Sequence, residues 1–322
     1  MIDQAPLNYL QAFGIKADKV VPLIWGLAVI SIIVVVIVSV LVLVGALRRG
    51  RAFSPNPDAM PPVERAGSGL PWITIGVGLS TLVLIAAMVW TVATMAAINR
   101  PSRQPDLTIE VRAHQWWWEA RYLSGDPSRI FRTANEIHIP VGPPVKINLA
   151  SSDVIHSFWV PAIGGKLDAI PGQTNATWLE ARKPGTYRGQ CTEYCGLQHA
   201  RMGFVVVAEP PDEFRAWWDS QLRAQASSGP HDGLAGGRQL FVQRCGACHT
   251  VRGTQAGGIM GPDLTHVMSR GTIAAGTLPN TTANLAGWIA NPQTIKPGSL
   301  MPNIGLSGPE LASIRAYVET LK

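Results

Sequence analysis

Within twelve residues, Cys191-Thr192-Glu193-Tyr194-Cys195-Gly196-Leu197-Gln198-His199-Ala200-Arg201-Met202 brings together two thiols, an imidazole and a thioether. Soft donors of this kind select copper, and a mononuclear blue site needs one Cys, two His and a weak Met. Here two cysteines lie four residues apart, and two thiolates at that distance can bridge two copper ions that share one electron. A second His must come from elsewhere, and His156 in Asp153-Val154-Ile155-His156-Ser157-Phe158 is placed to provide it. Zinc would accept the thiols and an imidazole, but it gives the Met no purpose and favours more closely set cysteine pairs. A disulfide would suit an exported domain, yet it leaves Glu193, His199 and Met202 unexplained.

The other two of the four cysteines sit in Cys245-Gly246-Ala247-Cys248-His249. C-x-x-C-H reads as a site of covalent c-type haem attachment: both thiols add to the haem vinyl groups, and the adjacent His249 ligates iron. A thioredoxin-like motif belongs near a βαβ pattern, which is absent here, and a zinc half-site lacks its second pair of ligands. With two cysteines for copper and two for haem, none is left for a structural disulfide. An electron carrier takes Met as its sixth iron ligand, because His/Met ligation raises the potential. Met301, in the Pro-flanked loop Lys296-Pro297-Gly298-Ser299-Leu300-Met301-Pro302, is the expected ligand. It resembles the Met loop of class I cytochromes c. Met260 and Met268 read as packing residues, with His266 as a bis-histidine alternative. Met260 precedes Gly261-Pro262, where similar proteins use the Gly-Pro carbonyl and the proline ring to orient the haem histidine.

These groups need scaffolding, and 322 residues allow two or three domains. No charged residue occurs between Lys19 and Arg48, or between Arg65 and Arg100. Each run exceeds the roughly 20 apolar residues that span a bilayer, which predicts a hairpin over 20–99 with spans at about 22–47 and 71–98. The first run is too long for a cleaved signal peptide, and the N-terminal segment 1–19 before it is mixed polar and lacks a signal's basic start. Past Arg103 come short alternating runs: Leu107–Arg112, Ile137–Ile139, Val145–Leu149, Ala176–Leu179 and Gly203–Val207. Short strands parted by Gly and Pro turns argue for a β-sandwich or Greek-key barrel over 100–210. Asp212–Arg223 carries Phe214, Trp217, Trp218 and Leu222 at helical spacing. Ala226–Gly233 is a linker by composition, reaching roughly 16 Å as a flexible coil. Helical patterns around Leu240–Val242, Leu285–Ile289 and Leu311–Leu321 then predict a small all-α domain over 234–322.

The pattern C-x-E-x-C-x3-H-x2-M resembles the binuclear CuA centre of cytochrome oxidase subunit II. The likeness extends over roughly residues 20–210 and takes in His114-Gln115-Trp116-Trp117-Trp118-Glu119, Asp168-Ala169-Ile170-Pro171-Gly172 and Pro184-Gly185-Thr186-Tyr187. It implies a cupredoxin-like Greek-key barrel behind a transmembrane hairpin, and the C-x-x-C-H motif with its Met loop resembles a class I cytochrome c domain following it. The likeness to subunit II also implies that His156, Cys191, the Glu193 carbonyl, Cys195, His199 and Met202 hold CuA. The Glu193 carboxylate would reach a magnesium ion shared with subunit I, and Trp116 would take up the electron. Strand alternation would set Trp116 and Trp118 on one face and Trp117 on the other. Asp153 and Asp168 would belong to a cytochrome c docking face. Glu64, before the second span, is a candidate for assisting proton uptake.

The resemblance implies an aa3-type haem-copper oxidase subunit with a fused haem c, partnered by subunit I and subunit III. Electrons would come from cytochrome c or a cytochrome bc complex. A CuA-containing nitric oxide reductase subunit and a membrane-tethered electron carrier are the alternatives. Arg48, Arg49, Arg51 and Arg65 in the connector read as cytoplasmic by the positive-inside rule. Haem c attachment occurs outside the cytoplasmic membrane, so both termini and the redox domains of this bacterial inner-membrane protein would face the periplasm or exterior. The net charge of +6 is no argument for nucleic acid. Residues 100–229 carry 14 basic against 13 acidic groups and residues 230–322 carry 7 against 4, with no basic stripe.

Overall fold

The uncharged runs form two long helices, α1 (Ile15–Arg49) and α2 (Leu70–Ile98). Stretches of 33 and 29 residues are long and apolar enough to cross a membrane, and their Val, Ile and Leu side chains lie exposed all round, as on a helix that faces lipid. The computed structural model describes residues 7–49, 69–224 and 234–322. Arg51, Glu64, Arg65 and the Ala226–Gly233 linker lie outside the described residues. α1 begins seven residues before the expected start at 22, with Lys16, Asp18 and Pro22 inside it. Charge limits a lipid span but not a helix, so charge-free length marks the span and misses the helix start.

Within the N-terminal segment, residues 13–18 join the β-domain. Phe13 N donates to Ala162 O at 2.8 Å, Gly14 bridges Ala181, and Asp18 pairs with Arg182 at 2.6 Å.

The β-domain is a sandwich of two five-stranded sheets. One contains β1 (Leu107–His114), β2 (Trp117–Tyr122), β3 (Phe131–Ala134), β5 (Val145–Ser151) and β8 (Asn175–Leu179), in the order β3-β2-β1-β5-β8. The other contains β4 (Glu136–Pro140), β6 (His156–Trp159), β7 (Leu167–Ala169), β9 (Gly185–Cys191) and β10 (Gly203–Glu209), in the order β4-β10-β9-β6-β7. Alternation fills the space between them: Ile109, Val111, Ala113, Ile147 and Leu149 point inward from β1 and β5 and are fully buried. The helix α3 (Pro211–Leu222) closes one side, packing Trp217 and Trp218 tilted or edge-to-face against Tyr122 and Phe131 at 5.1–5.6 Å.

The C-terminal domain has its own core around Phe241, Val251, Leu285, Ile289, Ile314, Tyr317 and Leu321. Helix α4 (Ala235–Arg244) meets α7 (Gly308–Val318) through Phe241 and Tyr317, 5.5 Å apart. Between them run α5 (Thr282–Ala290) and α6 (Pro292–Ile295). The all-α expectation is modified by one two-residue hairpin, β11 (Thr272–Ile273) with β12 (Leu278–Pro279). The expectation of a tethered domain is likewise modified, because this domain is docked and forms one compact unit with the β-sandwich. Gly203 N donates to Ala275 O at 3.1 Å, and Gly271 N donates to the Glu136 carboxylate at 2.9 Å.

Candidate metal centres

Strand pairing assembles the first site. β6 lies antiparallel to β9 with Phe158 opposite Cys191. Side chains alternate along a strand, so His156 emerges on the same face as Phe158, beside the start of the Cys191–Met202 loop. The geometry follows: His156 Nδ1 is 3.8 Å from Cys191 Sγ, and the two sulfurs are 3.8 Å apart. His199 Nδ1 is 3.5 Å and Met202 Sδ 3.8 Å from Cys195 Sγ. The Glu193 carbonyl oxygen lies 3.3 Å from Cys191 Sγ, while its side chain is exposed. Cys191, Cys195, His156 and Met202 are all at most 2 % exposed. Hydrogen bonding between the sulfurs pulls the Cys191 thiol down to about 4 against its burial, and the same contact pushes Cys195 up.

The surroundings hold these donors in place. Asp153 Oδ1 accepts from His156 Nε2 at 2.8 Å, which leaves Nδ1 facing the thiols. The same carboxylate accepts from the amides of Val154 at 2.7 Å and Gln115 at 2.6 Å. Asp153 is thus engaged by the site while remaining exposed at the surface. Its role could have been found from the D-x-x-H spacing. Asp168 lies on β7, opposite Ser157. Trp116 is buried over the loop, its indole Nε1 donating to Cys195 O at 2.9 Å, and Gln115 Nε2 donates to the same oxygen at 2.7 Å. Trp118 is fully buried with its edge toward His156, and half-buried Trp117 stacks on His114 at 4.2 Å.

The second site lies in the helical domain. Cys245 and Cys248 are free thiols at the end of α4, and burial pushes Cys245 up to about 11. His249 Nδ1 donates to Pro262 O at 2.9 Å, leaving Nε2 for a metal. A Cβ on Gly261 would stand 2.6 Å from His249 Cε1, so only glycine lets the ring lie against this segment. Burial lowers the His249 pKa and favours the neutral, ligating imidazole. The Gln293 amide nitrogen donates to Ser299 O at 2.8 Å and Met301 O at 2.7 Å and so shapes the Met301 loop. Met260 is exposed, and Met268 packs on the domain core. His266 has one ring nitrogen 2.8 Å from Lys322 O and the other 3.0 Å from Arg223 O, so neither is turned to a bis-histidine iron site. Gln115 and Gln293 gave no motif signal, since their partners are backbone atoms distant in sequence or set by loop shape.

Comparison with known proteins matches residues 121–209 to the cytochrome c oxidase subunit II periplasmic domain and residues 234–322 to cytochrome c. The cytochrome c oxidase subunit 2 of Alkalihalophilus pseudofirmus is 36% identical over 306 residues, covering 91% of this chain and 86% of that one. The chain belongs to the cytochrome c oxidase subunit 2 family. The subunit 2 of Bacillus sp. (strain PS3) is 31% identical over 78% of this chain and 73% of its own length. The solved periplasmic domain of oxidase subunit II from Bradyrhizobium japonicum covers 38% of this chain and 96% of its own at 33% identity, with a TM-score of 0.35.

As a subunit 2 family member, the protein is a membrane-anchored, electron-accepting component of an oxidoreductase complex with other oxidase subunits, and its redox domain is exterior. The nitric oxide reductase alternative is not favoured by these matches. The donor chemistry fits copper in the first domain: His156, Cys191 and Cys195 offer ligand atoms within 4.8 Å of one another, with a thioether and a second imidazole beside them. The cytochrome c domain fits haem, with two free thiols and an oriented imidazole.

Proposed function

We propose that this chain is subunit II of an aa3-type oxidase, taking electrons up at its cytochrome domain and delivering them from its copper loop to subunit I. His156, Cys191, Cys195, His199, Met202 and the Glu193 carbonyl would hold two coppers. Cys245 and Cys248 would carry one haem covalently, and His249 and Met301 would bind its iron. When bound, these groups supply reversible one-electron chemistry. The residues of the chain do the rest. Asp153 orients His156, Pro262 orients His249, and such outer partners fix ligand geometry. Trp116 shields the copper loop and joins it through Cys195 O, which supports Trp116 as the point of uptake from the cytochrome domain. The exposed Glu193 carboxylate is free to hold magnesium at the boundary with subunit I.

The chain would lie in the bacterial cytoplasmic membrane as a two-span protein, both termini on the periplasmic or exterior side. Subunit III would complete the complex, and cytochrome c or a cytochrome bc complex would be the donor. Domain limits near 100, 210 and 234 belong to the same reading. The observation that carries it is the convergence of two sulfurs, two imidazoles and a thioether in one buried cluster. Metal analysis and EPR of the purified full chain test it. Two coppers in a mixed-valence pair and one non-extractable haem are expected. One copper with a blue-type spectrum, zinc alone, or haem removable by acid-acetone would overturn it.

A further inference from the structure

The haem-domain segment before Met301 lies directly on the copper loop, and the contact is built around a buried cation. Lys296 is 2 % exposed. Its ammonium donates to Trp116 O at 2.7 Å and to Ala274 O at 3.2 Å. Among the described residues no carboxylate pairs with it. Burying an ammonium without a counter-charge is costly, and burial pulls its pKa down to about 7. An apolar residue would avoid that cost but leave both carbonyls without their donor, so the worth of the ammonium lies in the bonds it makes at this contact.

The neighbours on the same contact are equally specific. The Arg201 guanidinium donates to Ile295 O, and Gln198 Nε2 donates to Pro297 O at 2.7 Å. Three consecutive haem-domain residues, 295–297, are thus engaged by or on the copper domain. Gly298, with φ +81°, lies so close that a Cβ there would be 3.2 Å from Leu197 and 3.7 Å from Trp116. On the other side of Lys296, Ala274 and Ala275 adopt left-handed backbone angles of φ 53° and 57°. Non-glycine residues hold such angles only where the surroundings over-determine them. Here the two strained residues present their carbonyls to Lys296 and to Gly203 N.

We propose that Lys296 is the positioning residue that locks the cytochrome domain in register on the copper domain. It ties the Met301 loop to the backbone of Trp116 and closes that side of Trp116 to any separate protein donor. The partner selected is the chain's own haem domain. A neutral, apolar side chain would leave the Trp116 and Ala274 carbonyls buried without this donor, and the docked register would lose its central bond.

The lock itself is independent of the electron route proposed above; only the rate measurement below rests on that route. Hydrogen exchange of the full-length protein in detergent, wild type against Lys296→Met, reads the docking directly. The Gly203 and Gly271 amides both donate across the contact, and their protection is expected to fall about tenfold, the scale of one lost charged hydrogen bond. Amides inside each domain, such as Cys191 and Leu285, should keep theirs. Lys296→Arg keeps the charge and the donors and should restore most of the protection.

Unchanged protection at Gly203 and Gly271 in Lys296→Met would overturn the proposal. So would loss of protection throughout the haem domain, which would make Lys296 a folding residue, or an arginine variant as impaired as the methionine one. With metals loaded, flash reduction of the haem should be followed by slower, viscosity-dependent copper reduction in Lys296→Met. Lost protection with an unchanged transfer rate would leave the lock standing and refute the route through Trp116.

Discussion

His138 provides a sharp test of the electrostatics that join the sandwich to its neighbours. Its ring is 9 % exposed and lies between two carboxylates, Glu136 Oε1 at 3.1 Å from Nε2 and Glu209 Oε2 at 3.0 Å from Nδ1. One face stacks on Trp217 at 4.1 Å. Burial works to lower its pKa, but hydrogen bonds to Glu136 and Glu209 outweigh burial and leave it raised above 6.5. For Glu136, burial works upward and is outweighed by the His138 contacts and the Gly271 amide, leaving it below 4.5. A raised histidine contributes stability that is fully present below its unfolded value and is lost as pH rises through its folded value. A depressed carboxylate contributes above its unfolded value and loses it as pH falls through the folded one. The pair therefore helps most between about pH 4.5 and 6.5.

Replacing His138 with Gln removes the charge and leaves two largely buried carboxylates facing a neutral amide. Breaking a buried pair from one side costs about 3–5 kcal/mol, and the lost stack adds about 0.5–1.5 kcal/mol. The retained amide donor offsets part of this, so about 3 kcal/mol is expected at pH 6. Between the unfolded and folded histidine values the wild type should lose about 1.4 kcal/mol per pH unit from this group. The gap between wild type and His138→Gln should accordingly narrow from pH 6 to pH 8. Thermal unfolding of the detergent-solubilised full chain at both pH values reads the difference. A gap that is constant or widens with pH would refute the assignment of charge to this ring.

The remaining predictions concern the two sites. Asp153→Leu removes the carboxylate that turns His156 and should weaken copper binding by about 10–100-fold, read by chelator competition; full affinity would mean that β6 alone orients the ring. Gly261→Ala places a Cβ against His249 and should cost about 1–3 kcal/mol by overpacking, with a shifted haem Soret band; an unchanged spectrum and midpoint would show that the loop gives way freely. Met301→Ala should abolish the Met-to-iron charge-transfer band, while Met260→Ala and Met268→Ala should spare it; the reverse pattern would move the axial ligand.

Much of the chemistry was legible because it is local. Cys191, Cys195, His199 and Met202 share one loop, and residues that near in sequence can meet whatever the surrounding fold. The haem motif is still more local, and the two apolar runs are long enough to read by composition alone. The β-strands were legible where they alternate, as in Leu107–Arg112 and Val145–Leu149. β6 and β9, which carry His156 and Cys191, were not. The first is buried at His156, Ser157 and Phe158 in turn, and the second mixes Gly, Arg and Gln along its length. β6 thus lacks the period of a half-exposed strand, while β9 alternates in burial at Tyr187, Gly189 and Cys191 but carries too few apolar side chains for hydropathy to show it.

What the tertiary structure decided was orientation and docking. Cross-strand register brings His156 to the thiols, and a carboxylate three residues earlier turns inward to hold it. The cytochrome domain is not merely tethered but engaged, through Lys296 with Trp116 and through Gly203 with Ala275. A lone lysine in a Pro-rich loop carries no signal of burial, and a backbone carbonyl 180 residues away carries no side-chain identity at all. Sequence specifies which donors exist and which neighbours they have along the chain. Contacts to backbone atoms across domains depend on the packing of both partners, and only the folded molecule contains that information.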